Sequence, residues 1–522
     1  MRGRGGIGRR SGLKIRLPQA VRVRVPPSAP SARRLFPLIP ALAAALVLSS
    51  CGLFGGGGPV RVAAIGTLHR DPDRAPSPLS LPNRLLLDAT AQGLVGFSGD
   101  GQVEAGLAER WVVIDQGRSY IFRLREARWA NGREVRAADV AQILQRKIGS
   151  QRLRSLLRGE FRAVRDIRAM TGRVIEIRLT TPQPDLLDLL AQPDLAIARN
   201  GNGWGPWRPM WSGSTAALSP LPPAGSETAE ADEAPGPEVL MWGTSAPRAV
   251  AQFEEGDAAV VLGGRFEDWP LIAAADIPQE RIMIDPVDGL FGLVVVADEG
   301  LLGTEIGRNA VAMAIVRTEL ADALDAGAWA ARITIRSRLR TQGSIDVIYP
   351  AWLDFSPDER RARARAIVSD WRTNNGGDRP ALRIALPEGP GARILFARLR
   401  TDLASVGIDT RLVNINSDAD LRLIDEVAPS SDPAWYLRRL GCGRGHSCGP
   451  STTRLLAEID AATGRTARAE AIAAAEEAIT RHSGYIALAA PLRWSLVADR
   501  TPGLRPNPRG RHSLIRLQPP PD

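Results

Sequence analysis

Gly93-Leu94-Val95-Gly96 opens a stretch, closing at Val140, that decides how the whole chain is read. It runs into a turn at Ser98-Gly99-Asp100-Gly101 and then into Val103-Glu104-Ala105-Gly106-Leu107-Ala108-Glu109-Arg110-Trp111. A second turn, Asp115-Gln116-Gly117, precedes Tyr120-Ile121-Phe122-Arg123-Leu124-Arg125, where apolar and polar residues alternate with the period of a half-buried strand. Arg128-Trp129-Ala130-Asn131-Gly132-Arg133-Glu134-Val135 follows, and residues 137–147 have helical spacing.

Working outward, strands and helices keep alternating. Residues 60–65 predict a buried first strand, 84–95 a helix ending at Gly96, and 175–179 another alternating strand. Helices are expected over 308–324, 357–371, 394–406 and 468–482, with a strand at 408–413. Residues 212–238 are rich in Ser, Pro, Ala and acids without periodicity, and predict a loop or disordered insertion. The chain reads as α/β, or mixed α+β, without a fixed-period repeat.

The 88–140 block resembles the peptide/nickel class of extracellular solute-binding proteins, solute-binding family 5. Those proteins are receptors of ABC importers. Glu109-Arg110-Trp111 stands where the family has Glu-Ser-Trp, and Ala138-Asp139-Val140 stands at its Ala-x-Asp-Val with one residue fewer. Weaker matches keep the family's order: Gly203-Trp204-Gly205-Pro206-Trp207 at a Gly-Thr-Gly-Pro-Tyr turn, 251–257 at a Gly-Glu-x-Asp segment, then 308–317, 399–408 and 468–494. The resemblance implies a bilobed periplasmic-binding-protein fold with an extra N-terminal subdomain, closing over ligand in a cleft. The expected organisation is a leader and signal peptide over 1–50, a linker over 51–59, and lobe I over 60–265 including the subdomain at about 81–194. Lobe II then spans 266–484, and 485–522 return to lobe I.

The N-terminus fits export. Arg33-Arg34 precede fourteen uncharged residues, Leu35 to Leu48, and the run Leu48-Ser49-Ser50-Cys51 resembles a bacterial lipobox with Cys51 as the lipidated residue. The alternative is an ordinary signal peptide with an unmodified cysteine. Of 67 Lys and Arg against 57 Asp and Glu, ten basic residues and no acids lie in 1–50, so the part from Cys51 carries 57 of each. The net charge of +10 therefore belongs to the leader, and a nucleic-acid partner is not expected. Cys442 and Cys448, close together in a glycine-rich loop, should form a disulfide in an oxidising compartment. A metal site drawing on His446 is the weaker alternative.

Aromatic residues supply the binding-site candidates. Trp204, Trp207 and Trp211 flank a glycine-proline turn, where rings either face a cavity or pack the hinge. Trp435 follows Ser431-Asp432-Pro433, and Trp494 follows the expected strand at 485–489. In peptide-binding relatives an Asp a few residues before this Pro pairs with the peptide's α-ammonium. Here Ala428-Pro429-Ser430-Ser431 offers no carboxylate, and Asp425 is the nearest substitute. The expected ligand-binding set is thus Trp204, Trp207, Trp435, Trp494 and Asp425.

Enzyme signatures fail locally. Gly96-Phe97-Ser98-Gly99 lacks the spacing of a nucleophile elbow, and His69, His446, His482 and His512 lack metal-ligand spacing. The resemblance implies no catalysis, no cofactor and no metal. It implies a monomeric, lipid-anchored periplasmic receptor that passes a peptide-like or other small organic solute to ABC permease subunits. The alternative is a receptor-derived envelope lipoprotein that no longer transports and serves as scaffold or sensor partner.

Overall fold

The computed structural model describes residues 58–517, except 73–74, 77, 152, 154–156, 158, 200–201, 222–237, 328, 338–345, 500 and 502. Cys51, the leader and most of the acid-rich stretch within 212–238 lie outside the described residues. Three sheets organise the rest, and the molecule is a mixed α/β, bilobed body with an added subdomain.

Lobe I is built on a seven-stranded sheet. Val60–Ile65 pairs in parallel with Val239–Thr244 and Val260–Arg265. Its side chains alternate: Val62 and Ala64 enter a core with Leu85, Leu86 and Trp207, while Ala63 enters the opposite core with Val261 and Phe253. Trp207–Ser212 and Thr215–Pro220 form an antiparallel hairpin at one edge, so 212–220 are not loop as the composition predicts. Ala216 and Leu218 bury on one face of that hairpin, an alternation too short to stand out among the Ser and Ala around it.

Lobe II carries a five-stranded sheet whose inner strand, Gly289–Val295, is buried at every residue. Phe291, Leu293 and Val295 face the core shared with lobe I, and Leu290 and Val294 face a second core with Trp435, Tyr436, Ile472 and Ile479. The helix expected over 308–324 is two, Glu305–Ala314 and Thr318–Ala323. The buried Arg317 sits between them and donates to the Ala487, Ala312 and Ile315 carbonyls.

The subdomain is a four-stranded antiparallel sheet, Ala108–Ile114, Ser119–Leu124, Val174–Leu179 and Val164–Thr171, covered by helix Ala137–Gly149. The expected helix over 84–95 runs Leu81–Thr90, and Val95–Phe97 is a short strand.

Strand pairing fixes the lobe boundaries. Ile282–Ile284 belongs to the lobe I sheet and Tyr485–Ala489 to the lobe II sheet, so the chain crosses at 285–288 and 490–492. Both crossings fall after the expected boundaries at 266 and 485, because the strand just beyond each of those positions still pairs within the sheet being left. Phe266 of lobe I meets Phe291 of lobe II edge-on, ring centroids 4.9 Å apart, so one aromatic core spans the hinge.

Candidate functional site

A cavity of about 880 Å³ lies between the lobes, roomy enough for a small organic molecule. Lobe I contributes Ile65, Gly263–Arg265 and Trp494, helix Leu81–Thr90 and the residue before its cap contribute Leu79, Leu81, Arg84 and Leu85, the subdomain contributes Glu160, Gln192 and Asp194, and lobe II contributes Asp425, Glu426, Trp435 and Arg439.

The expected site residues divide. Trp494, 1% exposed, lines the cavity and donates from Nε1 to the Arg265 carbonyl at 2.8 Å. Its ring fills the space beside Gly264, where a Cβ would sit 2.0 Å from the indole, so glycine is required there. Trp435 also lines the cavity and packs edge-on against Tyr436. Trp204 and Trp207 are elsewhere. Trp207 is buried in the lobe I core and Trp204 packs on the subdomain core with its Nε1 unpartnered. Their turn lies against the end of helix Leu81–Thr90, so closely that a Cβ at Gly203 would meet the Thr90 carbonyl oxygen at 1.9 Å. The Gly-Trp-Gly pattern thus reports close backbone packing.

Asp425 reaches the cavity wall but is clamped. Arg493 Nη1 donates to Oδ1 at 2.9 Å, and Arg265 Nη2 donates to Oδ2 at 2.8 Å. Burial alone would raise the Asp425 pKa; Arg493 and Arg265 outweigh it and hold the carboxyl below its ordinary range. A doubly paired carboxylate has little left for a ligand ammonium. Arg439 likewise grips Glu426 through two bonds, of 2.7 and 2.6 Å.

The C-terminal segment forms a wall that local patterns did not foretell. Asn507, fully buried, donates from its backbone N–H to Asp285 Oδ1 at 2.8 Å and from Nδ2 to the Gly99 carbonyl at 2.9 Å. Arg509 Nη2 donates to Asp188 Oδ1 in the subdomain at 2.6 Å and to Ser431 Oγ in lobe II at 2.8 Å. His512 Nε2 lies 2.9 Å from Asp285 Oδ2, in the first crossing segment. Leu514 and Leu517 then sink into the lobe I core. A strap therefore runs past the hinge, touches both sides of the cleft, and places Arg509, Arg511 and His512 on the cavity lining.

One arrangement resembles a catalytic pair. Ser447 Oγ lies 2.8 Å from His482 Nε2, but Arg308 Nη2 approaches His482 Nδ1 at 3.0 Å. A guanidinium can only donate, so Nδ1 accepts, the neutral ring carries its proton on Nε2, and Nε2 cannot take the serine proton. Burial and Arg308 also lower the His482 pKa. Nearby, the structure joins Cys442 and Cys448, with Cα atoms 5.4 Å apart. Among the described residues no group of three His, Cys, Asp or Glu is gathered as a metal ligand set would be.

Comparison with known proteins agrees with this architecture. A family model described as bacterial extracellular solute-binding proteins, family 5 middle, matches residues 102–214. OppA of Haemophilus influenzae, solved in complex with RPPGFSPFR, superposes with a TM-score of 0.72 at 16% identity, covering 88% of this chain and 99% of that one. The chain shares this fold, and residues 102–214 carry the family 5 signature. The murein tripeptide binding protein MppA of Escherichia coli is similar to the same extent, with a TM-score of 0.71 at 17% identity, covering 87% and 97% of the two chains. In sequence, the chain is 29% identical over 136 residues to the probable deoxycholate-binding periplasmic protein YgiS of Escherichia coli. That match spans 22% of this chain and a quarter (25%) of the length of YgiS.

Proposed function

We propose that this chain is the solute-binding receptor of an ABC importer, held at the periplasmic face of the envelope by a lipid on Cys51. It captures a peptide-like or other small organic solute by lobe closure and hands it to the permease. The observation that carries this reading is the 880 Å³ cavity walled by both lobes, with two short crossings linking their sheets among the described residues. Domain closure about such crossings traps ligand without a chemical step. Trp494, Trp435 and the Asp425 clamp form its floor in this reading, and Trp204 and Trp207 support the turn beside the subdomain. The Cys442–Cys448 bridge forms on export and shapes the loop carrying Arg444.

The test is small-angle scattering and thermal unfolding of the full chain against libraries of peptides and small organic solutes. A true solute should compact the protein, and at a hundred times its dissociation constant it should stabilise by about 2.7 kcal/mol. If no class of solute changes either signal, the scaffold or sensor reading of a receptor-derived lipoprotein takes its place.

A further inference from the structure

The charges on the cavity wall do not cancel group by group. Arg265 and Arg493 hold Asp425, Arg439 holds Glu426, and Arg509 holds Asp188. Arg511 differs. Among the described residues no carboxylate lies within 4.0 Å of its guanidinium, which donates from Nη2 to the neutral Gln192 Oε1 at 2.8 Å. Arg84, on helix Leu81–Thr90, exerts the largest charge effect on Arg511. Its Nε is buried without a hydrogen bond, the closest acid being Asp194 Oδ2 at 3.5 Å and out of line. Burial, and then the repulsion of Arg84, push the Arg511 pKa down to about 9 against the pull of Asp194 and Asp88. A half-buried cation facing a cavity beside a second, loosely held cation is a costly arrangement for an empty protein.

We infer that the solute is an organic anion whose carboxylate, or equivalent pair of acid oxygens, docks on Arg511 and Arg84 while its apolar body lies along Leu79, Leu81, Leu85 and Trp435. This rests on the receptor reading above. Planar guanidiniums match two acid oxygens in geometry and supply charge-assisted hydrogen bonds, so the anion repays the cost of burying them. An ammonium finds less. The carboxylates on the wall are held by arginines or by His512, except Asp268, whose pKa is raised by burial and which feels Arg265 beside it. Closure completes the site, because Gln192 also donates from Nε2 to the Pro429 carbonyl of lobe II at 3.0 Å. The approach of lobe II thereby fixes the amide that aims Arg511.

Titration calorimetry of the full chain with two matched sets tests this: octanoate, octanamide and octylamine, and N-acetyl-Leu-Phe, its C-terminal amide and Leu-Phe-amide. In at least one set the carboxylate should bind about tenfold or more tightly than its amide and amine. Arg511→Gln and Arg84→Gln should each erase that preference, and Arg511→Lys should restore part of it. Without solute, Arg511→Gln should melt higher than the parent, since it removes an unpaired charge and keeps a donor for Gln192. A lower melting temperature would make Arg511 a structural residue and overturn the inference. So would an amide or amine that binds as tightly as the acid, although the receptor reading would then stand. If none of the six binds at millimolar concentration, the anion inference falls; the receptor reading falls only if the wider libraries also fail.

Discussion

Arg438 donates from Nε to Glu160 Oε1 at 2.9 Å, and both side chains are buried where lobe II meets the subdomain. Asp432 joins the same cluster and is held in turn by Arg468 at 2.7 Å. Burial alone would lower the Arg438 pKa, but Glu160 and then Asp432 outweigh it and raise it. Removing one partner of such a pair strands the other and costs about 3–5 kcal/mol. Because the pair spans the two sides of the cleft, the cost falls on the closed arrangement. Glu160→Gln should therefore leave circular dichroism unchanged and increase the radius of gyration of the solute-free protein. An unchanged scattering curve would deny the pair any part in closure.

The same interface should respond to pH. Asp185 accepts from Ser430 Oγ across the cleft at 2.8 Å, and burial, then the charges of Asp432 and Glu160, raise its pKa from 3.8 to about 7. The closed state thus holds a proton that an open, solvated Asp185 would release. Its advantage is full below the ordinary carboxyl value and is lost as pH rises toward 7. Interlobe distances read by fluorescence transfer should lengthen from about pH 5 to about pH 8. Asp185→Asn should reduce that response; an identical pH profile in the variant would place the titrating group elsewhere.

Asp425 works in the opposite sense. Its lowered pKa means that its contribution is present above the ordinary value of 3.8 and disappears only as pH falls through its own, lower one. Asp425→Asn leaves Arg265 and Arg493 facing a neutral amide and should destabilise by about 3–5 kcal/mol in urea unfolding at neutral pH. The gap between parent and variant should persist down to about pH 4 and narrow only below it.

The Cys442–Cys448 bridge closes a loop with a sequence separation of 6. Chain entropy for so short a loop gives about 2 kcal/mol. Replacing both cysteines with serine should lower stability by roughly that amount and leave solute affinity within a factor of about two. A larger loss of affinity would show that the bridge positions Arg444 in the cavity.

How much of this was legible in the sequence depended on the range of the interactions. Strands such as Val60–Ile65 and Val174–Leu179, and helices such as Arg465–His482, follow from local periodicity, and the structure places them within a few residues of expectation. The crossings at 285–288 and 490–492 are set by which distant strand each neighbour pairs with, and no local pattern records that. The site shows the same limit. Trp435, Trp494 and Asp425 sit on the cavity, whereas Trp204 and Trp207 share their composition signal but pack against backbone and core. Arg84 and Arg511 were hidden by abundance, since nearly every basic residue in this chain is arginine. Only convergence over more than four hundred positions of chain sets those two apart.

The strap gives residues 507–517 an unusual weight. A premature stop ahead of Asn507 would spare every strand of both large sheets, since the last of them ends at Val497. It would nevertheless delete the segment that bolts onto Asp285 and furnishes Arg509 and Arg511 to the cavity. Such a truncation should leave the two large sheets folded while stripping both arginines from the cavity wall.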